Sequence, residues 1–149
     1  MSQIERNLGV AASLWLMCVA VAAAEPGVNR NGTAYAVGGY DVVAYFADHA
    51  PLRGNAKHAA TYRDATWLFA SAEHRSRFEK SPQTYVPAFL GYCAYGVAHE
   101  RLVPIDPNAW TIYHGKLYLN YSLAIRQTWS MDIPGELGLA EAYWAKLSH

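Results

Sequence analysis

Two pairs of short β-prone segments, each joined by a tight turn, constrain the possible folds of this chain more than any other feature. The pairs are Lys57–Tyr62 with Thr66–Ala70 and Trp110–Tyr113 with Lys116–Tyr121. Arg63-Asp64-Ala65 separates the first pair, and His114-Gly115 separates the second in the manner of a two-residue hairpin turn. Parallel strands would need a crossover of a dozen or more residues. We therefore expect antiparallel hairpins and not a parallel βαβ sheet.

Helix-start signals lie between and after these pairs. Ser71 precedes a segment that runs through Lys80, and Ser122 precedes one that runs through Ser130. Serine is a preferred N-cap residue because its hydroxyl accepts a backbone N–H. Further helices are predicted to start at Asp41, at Ser81-Pro82, at Asp106-Pro107 as a single turn, and over Glu136–Leu147. Helices mixed with hairpins predict one small α+β domain, and we find no internal repeat in the sequence.

Residues 1–24 have the pattern of an export signal. Arg6 precedes an apolar run, Leu8–Ala24, which closes on Ala22-Ala23-Ala24. A positive start, an apolar stretch and a small-residue A-x-A site are typical of a secretory signal peptide. We therefore expect cleavage after Ala24 and a periplasmic or secreted location.

Two other interpretations of this leader are a retained membrane anchor and lipidation at Cys18. The apolar run Leu8–Ala24 is shorter than the roughly 20 residues that span a bilayer. Lipidation needs a small residue directly before the cysteine, and Met17 stands there. Both observations favour cleavage.

Cleavage would leave Cys93 as the single cysteine, because the chain has only Cys18 and Cys93. An exported chain with one cysteine forms no internal disulfide, so this thiol is a candidate metal ligand, reactive group or intermolecular partner. The alternative is that Cys93 packs in the core as a small hydrophobic residue.

The remaining chain divides into a flexible lead-in over residues 25–36, rich in Pro, Gly and Asn, and one domain over residues 37–148. Without disulfides, the domain depends on its apolar core. Large aromatic side chains expected to be mostly buried are Trp67, Phe69, Phe78, Trp110, Trp129 and Trp144.

The charge balance argues against two classes of partner. The chain has 12 Lys+Arg and 12 Asp+Glu, so its formal net charge is zero. Nucleic acids and anionic membrane surfaces are bound by an excess of basic residues. We expect no nucleic acid partner and, after cleavage, no stable membrane insertion, whereas a metal ion or a protein partner stays open.

A series of short motifs runs in order through most of the predicted domain. The motifs are Gly39–Phe46, Thr66–Glu73, Pro82 with Tyr85, Gly91–Tyr95, Asp106-Pro107 with Trp110, Gly115–Asn120 and Asp132–Gly135. This series resembles the YHS domain family, in its exported, stand-alone bacterial form. The resemblance implies a YHS-like α+β fold. Because YHS domains occur beside heavy-metal-transporting ATPases and in oxygenase-associated proteins, it also implies a role in metal binding.

The resemblance and the lone thiol together predict a soft-metal site, with copper as the metal. Cu(I) is satisfied by two or three thiolate or imidazole ligands, whereas structural zinc needs four. Cys93 is the first candidate ligand, and His74, His99 and His114 are candidates for the second. We rank His74 first, since it is placed on a capped helix directly after a strand. YHS domains attached to metal ATPases often carry a Cys in this helix, and its absence here argues against a site of several thiolates.

The sequence favours a binding protein over an enzyme. It contains no Gly-x-Ser-x-Gly, no His-Glu-x-x-His and no Gly-rich phosphate loop. No basic residue adjoins Cys93 to activate its thiol. The alternative to metal binding is an interaction or small-ligand module in which Cys93 only packs. Its pocket would lie among Tyr92, Tyr95, Tyr113 and Tyr118.

Overall fold

Two antiparallel hairpins form where the sequence predicts them, in a computed structural model that describes residues 24–148. The hairpins are β1 (Asn55–Tyr62) with β2 (Ala65–Phe69), and β3 (Asp106–Tyr113) with β4 (Lys116–Asn120). The helices of the described residues are α1 (Ala44–Ala47), α2 (Ala72–Lys80), α3 (Pro82–Tyr85), α4 (Ala94–Ala98), α5 (Leu123–Trp129) and α6 (Ile133–Leu147). Short 3-10 segments cover Ala36–Gly39 and Ala88–Gly91. The α+β prediction is confirmed.

Both hairpins close through two-residue turns with a left-handed backbone. Arg63 and Asp64 have φ of 50° and 56°, and His114 and Gly115 have φ of 48° and 74°. Positive φ at both central positions defines the type I′ turn, whose twist matches that of the strands. The first turn is therefore one residue shorter than predicted, because Ala65 already belongs to β2.

The prediction of a helical turn at Asp106-Pro107 was wrong, because these residues begin β3. Asp106 pairs with Asn120 and Trp110 pairs with Leu119, so the residues between Asp106 and Trp110 bulge out of the ladder. A bulge accommodates Pro107, which has no N–H to give to a ladder. The Asp106 carboxylate accepts the backbone N–H of Asn108 at 2.9 Å and closes the bulge as an Asx turn.

The predicted helix caps at Ser71 and Ser122 are present. Each hydroxyl accepts the backbone N–H three residues on, from His74 and Ile125, at 3.1 Å. The last helix, α6, starts three residues before the predicted Glu136. Asp132 caps it there by accepting the Gly135 N–H at 3.1 Å.

The segment that we expected to be a flexible lead-in packs against the domain from Val28 onward. Val28 and Asn29 are buried. The Asn29 side chain donates to the Gly91 carbonyl at 2.9 Å, and the Asn31 side chain both accepts from and donates to the backbone of Ile105. The two asparagine side chains thus form the hydrogen bonds that a neighbouring strand would otherwise form with this backbone. These bonds hold the Gly/Asn-rich segment against the domain.

Four of the six predicted core aromatics are buried, namely Trp67, Phe69, Phe78 and Trp129. Trp110 and Trp144 are only half-buried. Trp110 packs against Tyr45 with ring centroids 5.4 Å apart, and Trp144 packs against Phe89 at 5.6 Å. Each of these two indoles covers the edge of the core and leaves one side exposed.

The fold contains the same structural unit twice, a repeat that we did not find in the sequence. Each unit runs through a 3-10 segment, a short helix, a bulged hairpin and a Ser-capped helix. Equivalent positions lie 51 residues apart over the hairpins and following helices, as in Asn55 and Asp106, Phe69 and Asn120, and Ser71 and Ser122. The two units also share their bulges, since β1 and β2 slip between Asn55 and Ala59 as β3 and β4 do between Asp106 and Trp110.

The 3-10 segments repeat in the same way at a spacing of 52 residues. Their last three residues, Val37-Gly38-Gly39 and Phe89-Leu90-Gly91, all have φ between 49° and 85°. Each is followed by an extended tyrosine, Tyr40 or Tyr92, which donates its N–H back into the turn. The left-handed backbone of Phe89 and Leu90 therefore belongs to the architecture of the unit.

No helix within residues 24–148 is long and apolar enough to cross a bilayer. The predicted signal peptide, with Cys18, lies outside the described residues except for Ala24.

Candidate functional site

Asp41 is a fully buried carboxylate whose oxygens are saturated with donors. Oδ1 accepts the backbone N–H groups of Val43 at 2.8 Å and Ala44 at 3.2 Å. Oδ2 accepts the N–H of Ala70 at 2.8 Å and contacts His74 Nδ1 at 2.7 Å. Because an ionised carboxylate only accepts, Nδ1 of His74 carries a proton. Asp41 thus ties α1 to the end of β2 and to α2.

Cys93 occupies the corresponding position in the second unit. Its sulfur accepts the N–H of Gly96, three residues on, at 3.3 Å, as Asp41 accepts that of Ala44. It also accepts the N–H of Tyr121 at 3.2 Å, as Asp41 accepts that of Ala70. A thiol therefore sits in a backbone cradle that holds a carboxylate in the first unit.

Burial and the backbone N–H groups around the sulfur shift the pKa of Cys93 in opposite directions. Burial raises the pKa of Cys93 above its usual value, because the thiolate would lose hydration. The backbone N–H groups of Gly96, Tyr121 and Tyr95 offset part of this effect by stabilising the thiolate. The effect of burial is the larger one, so Cys93 is a protonated thiol at neutral pH. The N–H groups would nevertheless stabilise the thiolate once it formed.

Asn120 completes the surroundings of the sulfur. Its Oδ1 accepts the N–H of Tyr95 at 3.1 Å and lies 3.6 Å from Cys93 Sγ. Its Nδ2 is buried and has no hydrogen-bond partner among residues 24–148. Sequence reasoning missed Asn120, which takes the place of Phe69 of the first unit. A polar amide directly after the apolar run Leu117–Leu119 was the available signal.

A pocket of about 360 Å³ opens beside Cys93. Most of its wall is apolar, and Tyr95, His99 and Arg101 are among the residues that bring polar groups to it. The lining residues are Cys93, Tyr95, Gly96, His99, Arg101, Val103, Tyr121 and Ile125. In the first unit His74 takes the position of Ile125, and its imidazole contacts the acceptor directly. The smaller reach of Ile125 leaves the equivalent space in the second unit open.

His99 is the one candidate histidine that shares this pocket with Cys93. Cys93 is the N-cap and His99 the C-cap of α4. The His99 ring lies on Tyr95 with centroids 4.2 Å apart, and its Nε2 is 3.3 Å from Glu136 Oε2. The imidazole is half-exposed, and Glu136 Oε2 beside it has no hydrogen-bond partner within residues 24–148.

The other two candidate histidines lie elsewhere. His74, ranked first from the sequence, is held by Asp41 on one ring nitrogen, and its Nε2 lies 3.6 Å from Asp48. It does not line the pocket beside Cys93. His114 is exposed in the β3–β4 turn and stacks on Tyr113 with centroids 4.1 Å apart. His74 does lie on a capped helix directly after a strand, as predicted. That helix, α2, belongs to the first unit, whereas Cys93 belongs to the second.

The described part of the chain contains no group of three or more His, Cys, Asp or Glu side chains arranged to hold a metal ion. Cys93 and His99 therefore offer at most a two-ligand site, which suits Cu(I) and does not suit structural zinc.

The chain was compared with family models, with curated proteins and with solved structures, and none of them matches it.

Proposed function

We propose that the chain is a non-enzymatic, exported YHS-like domain that binds Cu(I) through Cys93 and His99. The observation that carries the proposal is that both side chains line one pocket while the sulfur already receives two backbone N–H bonds. Such bonds to a ligating thiolate lower the cost of deprotonating it and orient its lone pairs. Soft Cu(I) prefers thiolate and imidazole ligands and accepts two of them.

A shared ion would have to bridge the two ends of α4, with Cys93 at its N-cap and His99 at its C-cap. Six residues of helix place their Cα atoms about 9 Å apart along α4. Glu136 Oε2 stands 3.3 Å from Nε2 without a hydrogen bond between them, which leaves Nδ1 as the ring nitrogen for the metal.

One observation favours a second candidate function. Cys93 is 1% exposed and belongs to the main core cluster, as a purely packing residue would. In that case the pocket binds a small apolar ligand or a partner side chain, and Cys93 only packs against the other lining residues.

Cu(I) titration against a competing chromophoric chelator distinguishes the two functions. We expect the wild type to bind one equivalent, Cys93→Ser to lose it, and His99→Gln to weaken it by at least tenfold. His114→Gln is the matched control, because His114 is exposed and remote from the pocket. Equal, weak binding by wild type and Cys93→Ser would overturn the copper proposal and leave the small-ligand function.

Export is tested separately by mass spectrometry of protein from the native host. Cleavage after Ala24 gives a mature chain that begins at Glu25. An intact Met1, or a lipid on Cys18, would contradict the proposal.

A further inference from the structure

A second pocket, also of about 360 Å³, lies among residues of both hairpins, of the second 3-10 segment and of α6. Part of its wall is aromatic, from Tyr62, Phe89, Tyr118 and Trp144. Phe89 is 6.3 Å from Tyr118 and 5.6 Å from Trp144 between ring centroids. This second pocket shares no lining residue with the pocket beside Cys93.

The same pocket contains two cationic side chains, Arg63 and Lys116. Within residues 24–148, neither has a carboxylate within ion-pair distance. Lys116 is half-buried, and its ammonium donates to the Gln83 carbonyl at 3.4 Å. Burial lowers the pKa of Lys116, since its charge has lost hydration without gaining an anionic partner. An anionic ligand would restore that partner.

The one acidic residue in the lining, Glu141, defines where the anion can sit. Glu141 is exposed on α6, and its negative charge adds to the effect of burial in raising the pKa of Tyr118. Repulsion from Glu141 would direct the ligand anion away from α6 and toward the hairpin residues Arg63 and Lys116.

We propose that this pocket binds a small aromatic carboxylate, with the ring between Phe89, Tyr118 and Trp144 and the carboxylate on Lys116 and Arg63. A pocket that combines aromatic and cationic side chains can hold a ligand with a ring and an anionic group, and its volume lies in the usual range for a small-molecule site. The inference goes beyond the proposed copper function and does not depend on it.

The test uses 3-phenylpropionate as the probe, with isothermal titration calorimetry and the indole NMR signal of Trp144 as readouts. We expect saturable binding that shifts the Trp144 signal, with at least tenfold weaker binding of the neutral 3-phenylpropanamide and of acetate. Lys116→Gln and Arg63→Gln should each weaken binding at least fivefold. Lys57→Gln is the matched control, because Lys57 is an exposed cation on β1 outside the pocket.

Three results would overturn the proposal. They are equal affinity for the acid and the amide, an equal loss in Lys57→Gln, and binding that leaves the Trp144 signal unmoved. Circular dichroism of each variant shows that it is folded. Repeating the titration with Cys93→Ser separates the two sites, since this variant should bind 3-phenylpropionate as the wild type does.

Discussion

Asp41 and Cys93 lie 52 residues apart and accept equivalent hydrogen bonds in the two halves of the domain. Each receives an N–H from three residues on and another from the residue that follows the second strand of its hairpin. Each also donates its own N–H across the unit, Asp41 to Leu52 and Cys93 to Val103. One structural position therefore holds a carboxylate in one half and a thiol in the other. The difference between them gives the halves different chemistry.

The first prediction concerns Cys93 as a hydrogen-bond acceptor. Cys93→Ser keeps an acceptor for the Gly96 and Tyr121 N–H groups and should lower the free energy of unfolding by about 1 kcal/mol. Cys93→Val leaves both N–H groups buried without a partner and should cost about 2–4 kcal/mol. Urea denaturation measures both. A valine variant as stable as the serine variant would show that these bonds contribute nothing.

The second prediction concerns the Asp41 carboxylate. Asp41→Asn puts an amide NH₂ against donors that now face an anion, so we expect a loss of about 2–4 kcal/mol in the free energy of unfolding. Asp48→Asn is the control, because Asp48 is exposed and its carboxylate lies as far as 3.6 Å from His74 Nε2. This substitution should lower the free energy of unfolding by less than about 1 kcal/mol. Thermal and urea unfolding provide the comparison, and similar losses in both variants would refute the role of Asp41.

The third prediction concerns pH. Since folding raises the pKa of Cys93, the folded state keeps a proton that the unfolded chain releases above about pH 8.5. The stability that this protonated thiol contributes is fully present below that pH and is lost as pH rises toward the folded pKa. Wild type should lose more unfolding free energy than Cys93→Ser between pH 7 and 9.5. Parallel urea curves for the two proteins at both pH values would contradict it.

The fourth prediction concerns the hairpin turns. Asp64 has φ of 56° in a position where glycine is unstrained, so Asp64→Gly should stabilise the domain by about 0.5–1 kcal/mol. Gly115 is its equivalent in the second turn, with φ of 74°, and Gly115→Ala should destabilise by about 1 kcal/mol. Calorimetric melting temperatures should therefore move in opposite directions. A fall for Asp64→Gly would mean that the Asp64 side chain, and not its backbone, supports the turn.

Local signals in the sequence located most elements because the interactions that create them are local. The Ser71 and Ser122 hydroxyls cap the helix that directly follows each of them, and His114-Gly115 closes its own hairpin. The helix predicted at Asp106-Pro107 failed because a cap followed by proline is also compatible with a bulged strand. Only pairing with Asn120 across the hairpin decided between the two.

By itself, the sequence determined the α+β class, the hairpins, most helix starts and the candidate ligands, since residue preferences and spacing are enough for these. Tertiary structure alone decided that Asp41 and Cys93 occupy equivalent positions in the two units. It also decided that His74 hydrogen-bonds to Asp41 and that His99 lines the pocket beside Cys93. The donors to these acceptors, Ala70 and Tyr121, lie 29 and 28 residues along the chain and contribute only backbone N–H groups. Because every residue except proline carries such a group, its partner can be identified only after the chain has folded.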